Sequence, residues 1–194
     1  MATIGVVEHG NSAVLVTVSA EGALLDRRKI DLTHGLPTHP YHHEGSWSVG
    51  RYTDSAWAKA TTLPDAIALV EKVHKAADEG ARQALDNLAT ALPEKVTAIA
   101  IRLCPDLPDG IEARIRDNRA ANMADGIMYR HAVAKAATAR GWTVHWYDRD
   151  KVFAEASAAL GKDIDAHLAA TGKAAGAPWQ AMHKLAAAAA IASI

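Results

Sequence analysis

The run Val96-Thr97-Ala98-Ile99-Ala100-Ile101-Arg102 decides the fold, because it is short and almost continuously apolar. A run of this kind is typical of a central strand that is covered on both faces. Before it, apolar residues at helical spacing predict one long helix that begins near Pro64 and ends at Pro93. The sequence therefore predicts a central strand that follows a long crossover helix.

Three strand patterns precede that helix. Residues 3–8 form an apolar run, residues 13–19 alternate between two faces, and residues 24–32 continue after a turn at Gly22. The third pattern is densely charged, which suits an exposed sheet edge because charge discourages pairing with another chain.

The remaining elements alternate between helix and strand. A helix is predicted over residues 122–140, a second buried strand over residues 142–148, and an Ala-rich C-terminal helix over residues 178–193. The order β-β-β-α-β-α-β-α predicts an α/β protein, with a mixed sheet and helices on both faces. Because we find no repeat and no linker, we expect one domain over residues 1–194, interrupted by a long loop at residues 33–62.

Composition limits the choice of partners. The net charge of −1 gives no global attraction to nucleic acid, so any such binding requires a local patch. The single cysteine, Cys104, rules out an intrachain disulfide. The N-terminal residues lack the pattern of a signal peptide, and the apolar residues 185–194 are too few to span a bilayer. From these features we expect a cytoplasmic bacterial protein with no membrane partner.

Polar residues gather where the predicted strands end. Glu8 ends the first strand, Arg102 ends the central strand and Asp148 ends the last one. Because ligands of open α/β sheets bind at the carboxyl ends of strands, we expect these side chains to lie near one rim. For Glu8 the alternatives are a metal ligand or general base, and a carboxylate bonded to the turn amides of residues 10–12. For Asp148 they are catalysis and a helix cap.

The sequence Gly5-Val6-Val7-Glu8-His9-Gly10-Asn11 resembles the opening of ribonuclease H-like proteins of the RuvC resolvase kind, in which an acidic residue ends an apolar strand and glycine follows. Residues 181–188, AMHKLAAA, are similar to the last helix of that group, and residues 146–152, WYDRDKV, to the exit of its last strand. The resemblance implies a ribonuclease H-like fold and phosphodiester hydrolysis with divalent metal, Mg²⁺ or Mn²⁺. Arg102 and His183 stand at two positions where the group has acids.

A histidine-rich segment offers replacement ligands. The segment contains His34, His39, His42, His43 and Glu44 within the predicted loop. Imidazole and carboxylate groups suit Zn, Mn or Fe, and a loop folded over the rim could bring His43 and Glu44 to Glu8. The alternative is a surface loop that uses its histidines in turns and hydrogen bonds. Adjacent histidines such as His42 and His43 point to opposite sides of an extended chain.

Arginine side chains are the candidate phosphate ligands, because the guanidinium fork matches phosphate oxygens. We assign substrate binding to Arg102, Arg119 and Asn11, and we keep an ion-paired solvated face as the alternative for the arginines. In the long loop, Trp47 and Trp57 are candidates for stacking on bases, whereas Trp142 and Trp146 are expected in the core.

Two functions follow from these residues. The first is a metal-dependent nuclease, with Glu8, Asp148 and His183 as catalytic residues and Glu8, His43 and Glu44 as metal ligands. The second is a non-catalytic binding or assembly protein that keeps the fold and has lost the carboxylates. A homodimer through the C-terminal helix or the 33–62 loop is a further expectation.

Overall fold

A computed structural model of the chain describes residues 1–49, 54 and 61–194. Their strands form one five-stranded sheet of order β3-β2-β1-β4-β5. The first three strands pair antiparallel, and β4 and β5 run parallel to β1. The predicted mixed sheet is confirmed, and its strands are β1 (Ala2–His9), β2 (Ser12–Ser19), β3 (Leu24–Asp31), β4 (Val96–Arg102) and β5 (Thr143–Tyr147).

Helices cover both faces of the sheet, as predicted. One core joins apolar residues of β1 and β4 to the two longest helices, and a second core joins β2 to the C-terminal helix. The helices are α1 (Trp47–Val49), α2 (Leu63–Ala91), α3 (Ile111–Arg116), α4 (Asn118–Ala139), α5 (Val152–Leu160), α6 (Ile164–Ala175) and α7 (Ala181–Ile191). Among the described residues, none of these helices combines the length and apolar character needed to cross a bilayer.

The long helix α2 begins where its sequence predicts. The hydroxyl of Thr62 accepts a hydrogen bond from the backbone amide of Asp65 at 3.3 Å, and Pro64 lies in the first turn. Gly80, in the middle of α2, has a packing role. A Cβ at Gly80 would lie 2.2 Å from the carbonyl oxygen of Leu32, so the end of β3 can approach the helix only because the side chain is missing.

The C-terminal helix α7 packs closely on the first two strands. Its small residues, Ala186 to Ala190, are all buried. A Cβ at Gly5 of β1 would lie 1.8 Å from the carbonyl oxygen of Ala186, so the contact requires glycine. The alanines of this C-terminal helix, which was considered above as a dimer surface, are therefore buried in the core of the chain itself.

The last strand, β5, differs from its prediction. It lies at the edge of the sheet, beside β4, and most of its residues are not buried. Trp146, expected in the core, is 38% exposed and lies 5.7 Å from the ring of His131. Trp142 is only partly buried, with the Arg140 guanidinium 5.7 Å from its ring. The prediction of a second buried strand was wrong, because strand β5 has a neighbour on one side only.

The segment predicted as a long loop contains helical structure in its described part. A π-helical turn spans His42–Ser46 and runs directly into α1. Trp57 lies outside the described residues. The polar stretch after residue 110 is also helical, since it forms α3 and the start of α4. The Asp117 side chain caps α4 by accepting hydrogen bonds from the amides of Arg119 and Ala120.

Candidate functional site

A cavity of about 390 Å³ opens at the carboxyl edge of the sheet. We call it the rim cavity, and it lies between the ends of β1, β4 and β5 and the first turn of α7. Its lining residues are Val7, Glu8, His9, Arg102, Tyr147, Arg149, Asp150, Phe153, Ala181, Met182 and Leu185. Glu8 and Arg102, which were predicted to lie at one rim of the sheet, therefore line the same cavity.

Glu8 is held by an arginine from the neighbouring helix. Arg130 of α4 donates a hydrogen bond to the Glu8 carboxylate and another, at 3.1 Å, to the carbonyl oxygen of Leu103. Each of the two charged side chains is only 10% exposed. Burial disfavours the charge on Arg130, but the bond to Glu8 and its negative charge outweigh burial and raise the pKa of Arg130. The carboxylate is thus already compensated by a buried cation.

Two further arginines contribute positive charge to the rim cavity. Arg102 ends β4 and Arg149 follows β5, and neither has an ion-pair partner within 4 Å in the described part of the chain. The first turn of α7, with Ala181 and Met182, faces the same space. Because helix N-termini carry partial positive charge and amides without intrahelical partners, this end also favours an anion. Besides Glu8, which pairs with Arg130, Asp150 brings negative charge to this space.

Tyr147 lines the rim cavity and connects two strands of the sheet. Its hydroxyl donates to the carbonyl oxygen of Val6 at 3.1 Å, so β5 is tied to β1 across β4. Burial, then the charge of Glu8, raises the pKa of Tyr147 well above its usual range. The side chain therefore stays a neutral donor.

Asp148 has a turn role in this structure. Its carboxylate accepts from the amide of Asp150 at 2.9 Å, and its carbonyl accepts from the amide of Val152. The Lys151 ammonium lies 3.6 Å away. Asp150, two residues later, lines the rim cavity instead. Asp150 belongs to the same short segment as Asp148, residues 146–152. The sequence of this segment does not show which of its two aspartates lines the cavity.

His183 does not line the rim cavity with Glu8. Its Nδ1 accepts a hydrogen bond from the amide of Gln180 at 3.2 Å, which completes a capping box at the start of α7. The ring stacks near Trp179 and lines a different cavity. Burial, then the charge of Arg27, lowers the pKa of His183. The residues of α7 that line the rim cavity are Ala181, Met182 and Leu185.

The other predicted substrate ligands lie elsewhere. The Asn11 side-chain amide donates to the carbonyl oxygen of Thr33 at 3.1 Å, which fixes the chain where it leaves β3. Arg119 is exposed at the start of α4. Neither residue lines the rim cavity.

The histidine-rich segment is attached to α4 through a buried carboxylate. Asp125 accepts hydrogen bonds from the amides of Tyr41 and His42 at 2.9 and 3.2 Å, and its side chain is 3% exposed. The Nδ1 atom of His39 lies 3.7 Å from the same carboxylate. His43 and Glu44 belong to this turn and do not line the rim cavity with Glu8.

The histidine rings nevertheless gather, because the chain is helical there. The ring centroids of His42 and His43 are 5.0 Å apart, and both lie within 5 Å of the Trp47 ring. The hydrogen bond and charge of Asp125 raise the pKa of His39. Burial lowers the pKa of His42 and His43, and the positive charge of neighbouring histidines acts in the same direction.

No family model and no curated protein matches the sequence. Among solved structures, T. thermophilus RuvC in complex with a Holliday junction substrate superposes with a TM-score of 0.53 and 16% identity, covering 99% of this chain and 91% of that one. The fold is ribonuclease H-like. A second structure, Thermus thermophilus RuvC, gives a TM-score of 0.48 and 15% identity over 99% and 92% of the two chains.

The ribonuclease H-like fold implies a divalent metal, but the side chains present do not fit a two-metal centre. Such a centre needs several carboxylates around two ions about 3.5–4 Å apart. Among the described residues, no three His, Cys, Asp or Glu side chains are close enough to hold an ion. The ten residues outside the description include none of these four types. Glu8 is paired with Arg130, and Arg102 brings positive charge to the same rim.

Proposed function

We propose that this protein binds nucleic acid through a phosphodiester group at the rim cavity and does not hydrolyse it by two-metal chemistry. The observation that carries the proposal is the ion pair between Glu8 and Arg130 beside Arg102, for which the described residues offer no ion-pair partner within 4 Å. It favours the second of the two functions expected from the sequence, a ribonuclease H-like binding protein.

The ion pair argues against Glu8 as a metal ligand. A metal would have to displace Arg130 and leave a guanidinium that is nine-tenths buried without its partner. Removing one partner of a buried pair costs about 3–5 kcal/mol, which would oppose metal binding at this carboxylate. Arg130 thus already supplies the positive charge that a metal ion would bring to Glu8.

An anionic ligand fits the remaining charges. Arg102 and Arg149 are two cations that line the rim cavity without ion-pair partners in the described residues, and the N-terminal turn of α7 lies beside them with its partial positive charge. Guanidinium groups and helix N-termini both bind phosphate oxygens well. We choose nucleic acid among phosphate compounds because RuvC, with the same fold, has been solved with a Holliday junction.

Hydrolysis by a Mg²⁺ or Mn²⁺ enzyme stays a separate prediction. It is favoured by the position of Glu8 at the end of the first strand, and it needs Asp148, His183, His43 or Glu44 to move toward Glu8. A homodimer also stays a prediction. Because the small residues of α7 are buried, it would use another surface, and light scattering of the purified chain tests it.

The test measures binding and cleavage on the same samples. Fluorescence anisotropy with labelled single-stranded, duplex and four-way-junction DNA gives affinities, and gels of the same mixtures with Mg²⁺ or Mn²⁺ report cleavage. We expect salt-dependent binding without cleavage. The double variant Arg102→Glu, Arg149→Glu should weaken binding tenfold or more, since charged hydrogen bonds contribute about 1.5–3 kcal/mol each.

The matched control is the double variant Arg82→Glu, Arg116→Glu, which reverses two exposed arginines that pair with acidic residues of their own helices and do not line the cavity. It should leave affinity unchanged. Metal-dependent cleavage by the wild-type chain that disappears in Glu8→Ala would overturn the proposal in favour of the nuclease. Equal loss of binding in both arginine variants would show that only overall charge matters.

A further inference from the structure

A second cavity, of about 500 Å³, lies beside the rim cavity. We call it the hairpin cavity, because it is formed by the β2–β3 hairpin and the segment that leads into α7. His9 and Met182 line both cavities. The two spaces therefore meet at these residues and follow one another along the surface.

The walls of the hairpin cavity combine apolar and polar groups. Val14, Pro178 and Met182 supply apolar surface, and Ser12, Gln180 and His183 supply polar atoms. Sites for small organic ligands have this composition, and their volumes run from about 300 to 1,000 Å³. Since Nδ1 of His183 is used in the cap of α7, its Nε2 is the ring atom left for a ligand.

Among the described residues, three cations line the cavity, and two of them have partners. The Arg27 guanidinium donates to the carbonyl oxygens of residues 175–178 at 2.5–3.0 Å. Arg28 makes two hydrogen bonds to Asp26, at 2.7 and 2.8 Å. Lys29 is exposed, and the described residues offer it no ion-pair partner within 4 Å. A ligand with an anionic group would find Lys29 available.

We propose that the hairpin cavity holds the nucleotide next to the phosphate bound in the rim cavity. The two cavities then form one groove for single-stranded nucleic acid, an inference that rests on the proposed function. The base lies against Pro178 and Met182, and Lys29 contacts the phosphate. A single strand is required, because a base in a duplex is already stacked and paired and cannot turn its face to these side chains.

The experiment compares labelled hexathymidylate with a duplex of mixed sequence on the full chain. The variants are Lys29→Gln, the matched control Lys72→Gln on an exposed part of α2, and Arg102→Glu. We expect Lys29→Gln to weaken hexathymidylate binding about five- to tenfold. It should also reduce the slope of log affinity against log salt by about 0.7, the value of one phosphate contact on a single strand. Duplex affinity and the thermal midpoint should not change.

The outcomes separate the two proposals. If Arg102→Glu weakens binding and Lys29→Gln acts like Lys72→Gln, the rim cavity binds nucleic acid and the groove is refuted. If Lys29→Gln weakens hexathymidylate binding and Arg102→Glu does not, the hairpin cavity binds a nucleotide by itself, and both the rim site and the joint groove are refuted. An equal loss for hexathymidylate and duplex would overturn the single-strand assignment. If the wild-type chain binds neither probe, both proposals fail.

Discussion

The carboxylate of Glu8 and the guanidinium of Arg130 form a buried ion pair between residues 122 positions apart in the chain. The pair joins β1 to α4 at the edge of the sheet where ligands of α/β proteins bind. Arg130 also donates to the carbonyl oxygen of Leu103, so one side chain fixes the ends of two strands. The ion pair therefore stabilises the fold, and it also neutralises the negative charge that Glu8 would otherwise bring to the rim cavity.

Removing one member of this pair should cost more than removing both. Arg130→Met leaves the Glu8 carboxylate buried without a cation, and we expect it to lower the free energy of unfolding by about 3–5 kcal/mol. The double variant Glu8→Leu, Arg130→Met should lose less, because no uncompensated charge remains. Urea unfolding of the four proteins of this cycle measures the difference. Additive losses would mean that the two side chains do not depend on each other.

Two glycines should respond in opposite directions to alanine. Gly5→Ala places a methyl group 1.8 Å from the Ala186 carbonyl oxygen, so we expect a loss of about 1–3 kcal/mol or more. Gly126 lies inside α4, and its nearest neighbours to a new methyl group are Arg130 at 3.6 Å and Glu8 at 3.8 Å. Gly126→Ala should therefore stabilise the chain by about 0.5–1 kcal/mol. Thermal and urea unfolding test both, and a stable Gly5→Ala chain would contradict the close packing of α7.

His39 should stabilise the protein mainly at acidic pH. Asp125 raises the pKa of His39 above its unfolded value of 6.5, so its contribution is complete below that value and is lost as the pH rises through the folded pKa. The difference in unfolding free energy between wild type and His39→Gln should be larger at pH 5.5 than at pH 8.5.

The pH dependence of wild-type stability alone would not isolate His39, because His42 and His43 change stability with pH in the opposite direction. Their pKa values are lowered, so their contribution is present above pH 6.5 and is lost as the pH falls. His34→Gln is the matched control, since His34 lies in a different cavity beside Lys29. If the difference in unfolding free energy between wild type and His39→Gln does not change with pH, Asp125 does not stabilise the protonated form of His39.

Arg27 should hold the segment before α7 in place. Its guanidinium donates to four consecutive carbonyl oxygens, a geometry that an ammonium group cannot reproduce. We expect Arg27→Lys to lose about 1–3 kcal/mol and to speed amide hydrogen exchange in residues 175–180. Arg28→Lys, whose partner Asp26 is on the same strand, is the control and should leave exchange there unchanged. Unchanged exchange in Arg27→Lys would contradict the prediction.

The sequence predicted the order of the elements because their periodicities are strong. The run of β4 and the apolar stripe of α2 are local patterns, and the structure has both within two residues of their predicted bounds. The charged third strand was likewise expected at an edge. The position of β5 was not predictable, because the apolar pattern of residues 142–148 does not reveal whether another strand pairs beyond it.

The candidate site was predictable only in part. Glu8 and Arg102 could be assigned to one rim, because both end strands that run in the same direction. Arg130 could not be assigned to Glu8, since in the sequence it is one of several arginines between residues 102 and 140. His183 was chosen by resemblance, but one residue along a helix turns a side chain by about 100°, so Met182 faces the rim cavity instead.

The contact between Gly5 and Ala186 also has a consequence for how the chain is made. The first strand leaves the ribosome when its partner helix α7, near the other end of these 194 residues, has not been synthesised. At about 5–20 residues per second, roughly 10–40 s separate the two events. During that interval one apolar face of the β1–β2 hairpin lacks its cover. Nascent chains stalled before α7 should therefore be cut more readily by protease in this hairpin than released chains are.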